Sequence, residues 1–69
     1  MSLGKKITTL RNELGISQRK LAYELEVSNN AISLLENDNT LPNTNLLIKI
    51  CKYFNISADW LLGLKEERN

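Results

Sequence analysis

Residues 17–36 read S-Q-R-K-L-A-Y-E-L-E-V-S-N-N-A-I-S-L-L-E, and this stretch decides the fold. It contains two short helical patterns, and each opens with a serine whose hydroxyl can accept a hydrogen bond from the free N–H groups of the first turn. Ser17 opens the first pattern and Ser28 opens the second, with residues 26–28 as the link. Because so short a link does not let two helices lie flat and antiparallel, we expect them to cross steeply as a helix-turn-helix whose second helix is presented outward.

The second helix carries an uncharged outer face. At about 100° per residue, turning Ile32 and Leu35 inward leaves amides, hydroxyls and one aliphatic side chain on the outside. The outer and flanking residues are Asn29, Asn30, Ser33, Leu34 and Asn37. Amides can bind base edges, typically the N6/N7 edge of adenine, and an aliphatic group can contact a thymine methyl. The pattern therefore favours a helix that reads DNA over the alternative, an uncharged helix face without a partner.

Length and composition limit the classes of protein to which this chain can belong. Sixty-nine residues make one domain, expected to span 1–69 and near the lower size for a self-supporting core. One cysteine and no histidine exclude an internal disulfide framework and a Cys/His zinc site. Cys51 occupies an apolar position of a helical pattern, which favours a core side chain over a reactive thiol. The sequence has no run of ~20 apolar residues and no secretory signal, so we expect a cytoplasmic protein without a membrane partner.

The net charge of +1 gives little support for nucleic-acid binding. Residues 1–42 hold five basic and five acidic side chains. Since phosphate neutralisation normally dominates the affinity for nucleic acid, a neutral domain must concentrate its cations or bind in duplicate. The case for DNA therefore rests on the helix pair and not on charge.

A first helix precedes the pair. Its apolar stripe consists of Leu3, Ile7, Leu10 and Leu14, at helical spacing. The stripe ends at Gly15, which fits a left-handed cap. Arg11 lies beside the stripe and needs an anionic partner, for which Glu36 at the inner edge of the third helix is the best candidate. We therefore predict an Arg11–Glu36 ion pair; the alternative is that both side chains extend into water.

Two further helices follow the pair. Turn-forming residues 37–42 end the third helix, Asn43 caps a fourth helix and Ser57 caps a short fifth. The predicted inner face of the fourth helix consists of Leu47, Ile50, Cys51 and Phe54. Leu46 and Tyr53 fit that face less well. With no strand pattern or repeat, the chain is predicted to be all-α, with five helices.

The C-terminal part is expected to complete the core and then to become charged. Trp60, Leu61 and Leu64 are predicted core residues, and Gly63 is predicted to loosen or end the fifth helix. Residues 65–69 carry mostly charged side chains and are predicted to form a frayed tail.

The combination of these motifs resembles a known family. Two segments carry the resemblance: I-T-T-L-R-N-E-L-G-I-S-Q-R-K-L-A-Y-E-L-E-V-S-N-N-A-I-S-L-L-E (7–36) and P-N-T-N-L-L-I-K-I-C-K-Y-F-N-I-S-A-D-W-L-L (42–62). They are similar to the phage Cro/C1 repressor type of helix-turn-helix domain, also called the xenobiotic-response-element family. The resemblance covers nearly the whole chain and implies a compact five-helix, repressor-like DNA-binding domain.

The resemblance also implies roles for individual residues. Gln18 matches the family glutamine that contacts a phosphate and braces the recognition helix, a role that suits the N-terminus of a helix. The positions that match the family's DNA-facing residues are Ser28, Asn29, Asn30, Ser33 and Leu34. Asn39 and Thr40 match the loop that touches phosphate. Arg11 and Glu36 match the family's structural ion pair.

Two features depart from the family pattern. Glu26 stands at the turn position where the family usually has glycine, and a left-handed backbone there would cost a glutamate about 1 kcal/mol. The third helix has no Arg or Lys, so the commonest guanine contact is missing. Both features weaken the expectation of tight, charge-driven binding, and neither disturbs the fold.

We therefore expect a sequence-specific, double-stranded DNA-binding transcriptional regulator that reads the major groove with its third helix. Repression by occluding polymerase is the expected outcome, and activation is the alternative. Domains of this docking type commonly bind as dimers on half-sites about one helical turn apart, so a homodimer is expected. Leu41, Leu62 and Leu64 are candidate dimer residues, although core packing explains Leu64 equally well.

A protein-interaction module, antitoxin-like and built on the same fold, is the alternative function. The neutral charge and an expected exposure of Leu34, Leu46 and Tyr53 favour it. An enzyme is not expected, because no histidine is available, the cysteine has no base beside it and the acidic residues are scattered. No cofactor, metal ion or small-molecule ligand is predicted.

Overall fold

Five helices follow one another in the computed structural model, which describes residues 1–69. Their bounds are α1 Leu3–Glu13, α2 Gln18–Leu25, α3 Asn29–Glu36, α4 Thr44–Phe54 and α5 Ala58–Leu61. The predicted all-α class with five helices is confirmed. The predicted helix pair corresponds to α2 and α3, linked by residues 26–28.

Each helix begins after a residue whose side chain accepts a hydrogen bond from the first turn. These N-cap residues are Ser2, Ser17, Ser28, Asn43 and Ser57. The two caps of the helix pair have the same geometry, since Ser17 Oγ lies 3.0 Å from Lys20 N and Ser28 Oγ lies 3.0 Å from Ala31 N. The four predicted caps are therefore confirmed, and Ser2 is a fifth cap that was not predicted. The sequence alone could predict the four caps because a cap residue and its hydrogen-bond partner lie only three residues apart.

The core takes apolar side chains from all five helices. Its buried members are Ile7, Leu10, Leu21, Ala22, Leu25, Ile32, Leu35, Ile50, Ile56, Trp60 and Leu61. The inward face of α3 consists of Ile32 and Leu35, and α3 packs against both α1 and α2. Burying one such side chain contributes about 1.5 to 3 kcal/mol. This packing holds α3 from behind and leaves its opposite face uncovered.

Every helix ends on a left-handed residue. Gly15 follows α1 at φ 69° and Gly63 follows α5 at φ 82°, as both positions were predicted to end a helix. Glu26 and Asp38 adopt φ 60° after α2 and α3, and Asn55 adopts φ 55° after α4. Asn and Asp tolerate this conformation, whereas glutamate gains nothing from its side chain to offset the clash at Cβ. Glu26 is therefore the strained member of the set.

Replacing Glu26 by glycine is expected to raise the free energy of unfolding by about 1 kcal/mol, because glycine has no Cβ to clash in a left-handed turn. The ion pair lost with it, to Lys49 at 3.4 Å, contributes little because the Glu26 side chain is 80% exposed. Urea unfolding measures the change. Glu26→Gln is the matched control, since it removes the charge and keeps the Cβ; an equal gain in that variant would show that the charge, and not the backbone, limits stability.

Two leucines predicted to face the core lie outside it. Leu14 is 55% exposed because α1 ends one residue earlier, at Glu13, so the apolar stripe stops at Leu10. Leu64 is 73% exposed because the left-handed Gly63 turns the chain away after α5. The expectation that Leu64 finishes the core was wrong, and its candidacy as a dimer residue stays a prediction.

Three residues expected to be exposed are half-buried. Leu34 sits partly covered on α3, while Leu46 and Tyr53 pack against the core from α4. The Tyr53 ring meets the Phe54 ring edge to face, with centroids 5.1 Å apart. These three residues therefore support a protein-interaction module less than the sequence indicated.

The C-terminal tail was predicted to fray, and the structure instead folds it back. Arg68 donates two hydrogen bonds to the Glu13 carboxylate, at 2.9 and 2.8 Å, and its Cζ lies 5.2 Å from the centre of the Trp60 ring. The Arg68 carbonyl accepts a hydrogen bond from Ser57 N at 2.6 Å. Local sequence could not show this, because Glu13 lies 55 residues before Arg68.

Candidate nucleic-acid interface

The outward face of α3 presents free amides at its N-terminal end. Asn29 and Asn30 are exposed, and their side chains make no hydrogen bond within the chain. The amide of Asn37, at the other end, is already hydrogen-bonded within the chain, since its Nδ2 donates to the Ser33 carbonyl at 2.9 Å. Ser33 itself is half-buried. The amides that could meet a ligand are therefore the two in the first turn of α3.

The side chain of Ser28 completes that end of α3. Its Oγ accepts from Ala31 N, which leaves the hydroxyl proton free to donate outward. The first turn of α3 contains no acidic residue. A helix N-terminus without carboxylates favours an approaching anion, because its free N–H groups carry partial positive charge.

A hydrogen-bonded carboxylate joins α1, α2 and α3 behind this face. Glu36, with a side chain only 5% exposed, receives Arg11 Nε at 2.7 Å on one oxygen and Arg11 Nη2 at 3.1 Å on the other. Arg11 Nη1 also donates to the Ile16 carbonyl at 2.9 Å. The structure thus brings together the two residues of the predicted pair, in a bidentate geometry that is stronger than a single contact.

Gln18 belongs to the same cluster. Its Nε2 donates to Glu36 Oε1 at 3.0 Å, so the amide is held in one orientation at the start of α2. One N–H and the carbonyl oxygen of that amide stay free for an outside partner. The contact ties the first turn of α2 to the last turn of α3, which is the bracing that the resemblance implied for this glutamine.

The pKa of Glu36 is lowered by the cluster. Burial by itself raises the pKa of this carboxyl, but the hydrogen bonds from Arg11 and Gln18 outweigh burial and bring it below the ordinary value of 4.5. A depressed folded-state pKa adds stability that is complete above the unfolded-state pKa and is lost as the pH falls through the folded-state pKa.

Acid is therefore expected to unfold the domain through this carboxylate. The free energy of unfolding should change little between pH 7 and pH 5 and should fall once the pH drops below 4.5. Urea titrations across this range measure the slope. Glu36→Gln should flatten the acid limb, whereas an unchanged slope in that variant would assign the transition to other carboxylates.

Asp38 fixes the loop that follows α3. Its Oδ1 accepts from Gly4 N at 2.9 Å. A hydrogen bond from the Ser2 side chain and this bond from Gly4 hold the pKa of the Asp38 carboxyl below its ordinary value. The carboxylate thereby caps the N-terminus of α1. Asn39 and Thr40 come next and are exposed. The predicted phosphate-contacting residues are thus anchored to α1 through a contact that sequence reasoning missed.

Lys6 is a buried cation that sequence reasoning also missed. It is 8% exposed, its Nζ donates to the Trp60 carbonyl at 2.6 Å, and it lies 4.9 Å from the centre of the Trp60 ring. The Trp60 carbonyl, near the C-terminus of α5, also accepts from Gly63 N at 3.1 Å, and a cation at this end of a helix interacts favourably with its last carbonyls. Lys6 therefore ties α1 to α5 and takes no part in the outward face of α3.

The candidate dimer residues lie on a different surface. Leu41 is 81% exposed and Leu62 is 49% exposed, and both line one shallow cleft with Leu3 and Leu61. Leu64 lines the neighbouring cleft beside Trp60. The structure thus places the three predicted residues on one side of the domain, around the exit from α5.

Metal-binding groups, the reactivity of the thiol and membrane-spanning helices are the other features of the chain that bear on its function. No group of three or more His, Cys, Asp or Glu side chains is arranged to hold a metal ion. Burial raises the pKa of the Cys51 thiol, which disfavours the reactive thiolate. No helix has both the length and the apolar character needed to cross a membrane.

Comparison with known proteins places the chain in a family. A family model described as a helix-turn-helix domain matches residues 4–67. This chain belongs to the helix-turn-helix family of the phage Cro/C1 repressor type. The predicted family is therefore confirmed.

Two relatives come from Bacillus subtilis (strain 168). The HTH-type transcriptional regulator ImmR is 39% identical over 66 residues, which cover 96% of this chain and 52% of ImmR. YgzD, an uncharacterized HTH-type transcriptional regulator, is 32% identical over 62 residues, which cover 90% of this chain and 94% of YgzD. The chain thus spans about half the length of ImmR and nearly all of YgzD.

A solved structure of the same family superposes closely. The P22 c2 repressor protein, in a crystal structure of its complex with synthetic operator 9T, matches with a TM-score of 0.88 and 35% sequence identity. The match covers 94% of this chain and 98% of that one. The helix-turn-helix arrangement of α2 and α3 is thus shared with a repressor solved on its operator.

Proposed function

We propose that this chain is a sequence-specific, double-stranded DNA-binding transcriptional regulator that acts as a repressor. The observation that carries the proposal is the first turn of α3, where Asn29 and Asn30 are exposed and have no partner in the chain. The similarity to the P22 c2 repressor on its operator supports it. The proposal includes no catalytic step and places the binding to DNA in the cytoplasm.

In this mechanism α3 enters the major groove with its N-terminal turn leading. Asn29 and Asn30 hydrogen-bond base edges, and Leu34 contacts a thymine methyl. Ser28 and Ser33 lie beside them, where their hydroxyls bind a phosphate or a base edge. Of these contacts, those to base edges and to the thymine methyl supply sequence information.

The phosphate contacts come from the two ends of the helix pair. Gln18 uses its remaining N–H on one phosphate, at the N-terminus of α2, where the dipole favours an anion. Asn39 and Thr40 bind the backbone from the loop that Asp38 anchors. Such contacts fix the register of the domain on the duplex without reading sequence. Glu36 holds Gln18 against the end of α3. It therefore keeps the base contacts of α3 and the phosphate contact of Gln18 at a fixed separation.

We propose a homodimer as the DNA-binding unit. A domain with a net charge of +1 gains little from phosphate neutralisation alone, and two copies on two half-sites double the contacts. The exposed Leu41, Leu62 and Leu64 form the proposed contact between copies. Binding of two domains across a promoter would exclude polymerase and so repress transcription.

Asn30→Ala tests base reading by α3. The variant is expected to weaken binding to the preferred duplex by about 1 to 3 kcal/mol and to leave binding to an unrelated duplex unchanged, because an amide that pairs with a base edge discriminates between sequences. Fluorescence anisotropy at fixed salt measures both affinities. Asn12→Ala, which removes an exposed asparagine from α1, is the matched control. An equal loss on both duplexes would mean that Asn30 contacts the backbone and does not read bases.

A further inference from the structure

The asparagine side chains of α3 and its C-terminal cap differ in how many of their hydrogen-bond donors and acceptors are free to bind a base. Asn37 has its Nδ2 bound to the Ser33 carbonyl at 2.9 Å, so it cannot present a free amide. Asn29 and Asn30 have no hydrogen bond within the chain and are exposed. Two adjacent amides, each with a free acceptor and two free donors, are therefore the polar reading groups of this helix.

Their position matches the part of a recognition helix that meets bases. The N-terminal residues of such a helix contact base edges, while the preceding helix crosses the backbone. Asn29 and Asn30 are the first two residues of α3. Arg19 and Lys20 stand in the first turn of α2, which is the helix that crosses the backbone in this docking mode, and not on the recognition helix.

The chemistry of these groups selects one kind of base pair. An asparagine amide pairs in a bidentate way with N6 and N7 of adenine, whereas guanine is normally read by Arg or Lys. α3 contains neither Arg nor Lys. Leu34, one turn further on and half-buried, presents methyl groups that fit the C5 methyl of thymine.

We propose that each half-site is A·T-rich where α3 contacts it, with one adenine bound by Asn29, one adenine bound by Asn30 and a thymine methyl against Leu34. The inference rests on the proposed function. It adds that the bases bound by the two asparagines are adenines, one for each residue, and that the contacted half-site is therefore A·T-rich.

Modified duplexes test this inference atom by atom. From the duplex most enriched out of a random pool, each adenine of a half-site is replaced in turn by 7-deazaadenine, which lacks the N7 acceptor. Two positions should each lose about fivefold in affinity, the value of one hydrogen bond. Replacing thymine by uracil at one position should lose about fourfold, the value of one methyl group. Asn30→Ala should abolish the 7-deazaadenine effect at one adenine and keep it at the other, and Asn29→Ala should do the reverse.

The outcomes separate the inference from the function on which it rests. An enriched half-site made mainly of G·C pairs, or an A·T-rich one insensitive to 7-deazaadenine, overturns the inference and leaves the DNA-binding function standing. A pool without any enriched sequence overturns the function itself. Circular dichroism of both Asn variants checks that they are folded, and since both side chains are exposed, no loss of helix is expected.

Discussion

Replacing Glu36 by alanine is expected to lower the free energy of unfolding by about 2 to 3 kcal/mol, and the Tm by about 10 to 20 °C. The substitution removes both contacts to Arg11 and the contact to Gln18, and it leaves the Arg11 guanidinium without its anion at a side-chain exposure of 15%. Breaking a fully buried pair costs about 3 to 5 kcal/mol. The smaller value is expected here because Arg11 keeps its bond to the Ile16 carbonyl and some contact with water.

Thermal unfolding followed by circular dichroism measures this effect. Glu24→Ala is the matched control, because Glu24 pairs with Lys20 at 3.5 Å on the exposed side of α2. An exposed pair of this kind contributes little, so the control should stay within about 0.5 kcal/mol of the parent. If both variants lose the same stability, the Arg11–Glu36 pair has no special role and the account of how α3 is held is wrong.

Gly4→Ala is expected to lower the free energy of unfolding by about 1 kcal/mol, although alanine is the better helix former. A Cβ at position 4 would lie 2.5 Å from the Leu35 carbonyl oxygen, closer still to that of Glu36, and 2.8 Å from Asp38 Oδ1. Two of these neighbours are backbone atoms at the end of α3, so α1 must move away from α3 to make room. Overpacking of this kind costs about 1 to 3 kcal/mol, which exceeds the gain of about 0.5 to 1 kcal/mol from helix propensity.

The same shift would weaken the Gly4–Asp38 hydrogen bond and release the loop that holds Asn39 and Thr40. Gly4→Ala should therefore also weaken binding to unrelated and preferred duplexes alike, since that loop contacts only backbone in the proposed mechanism. Asn12→Ala adds an alanine to the same helix at an exposed position and should be neutral or slightly stabilising. A Gly4→Ala variant as stable as Asn12→Ala would show that α1 and α3 are not in close backbone contact.

The features that could be predicted from the sequence are those whose partners lie close along the chain. Ser17 and Ser28 cap helices three residues ahead of them, and the left-handed turn at Gly15 is a local property of glycine. The Arg11–Glu36 pair is the exception. It could be anticipated because an arginine on the inner side of a helix needs an anion.

The features that were missed depend on contacts across the chain. Gly4 looks like a poor helix residue until the close approach of α3 is known, and Lys6 looks like one more surface cation until Trp60 is placed beside it. The predicted burial of Leu14 and Leu64 was wrong for a related reason. Each residue lies just beyond the end of a helix, where helical periodicity no longer predicts burial. Helix periodicity identifies a face, whereas the last residue of that face depends on where the chain turns.

Within the proposed site, sequence periodicity placed Asn29 and Asn30 on the outside of α3, and the structure agrees. It did not distinguish them from Asn37, whose amide is used within the helix. That distinction needs side-chain contacts, and it supports Asn29 and Asn30, without Asn37, as the residues proposed to read bases.

Selection from a random-sequence duplex pool at two salt concentrations shows whether α3 reads a DNA sequence. We expect enrichment of a two-fold symmetric site, with half-sites about one helical turn apart. Raising the salt should weaken all binding and leave the preferred sequence unchanged, because phosphate contacts are screened and base contacts much less so. Weak, salt-sensitive binding without any enriched sequence would contradict sequence reading by α3.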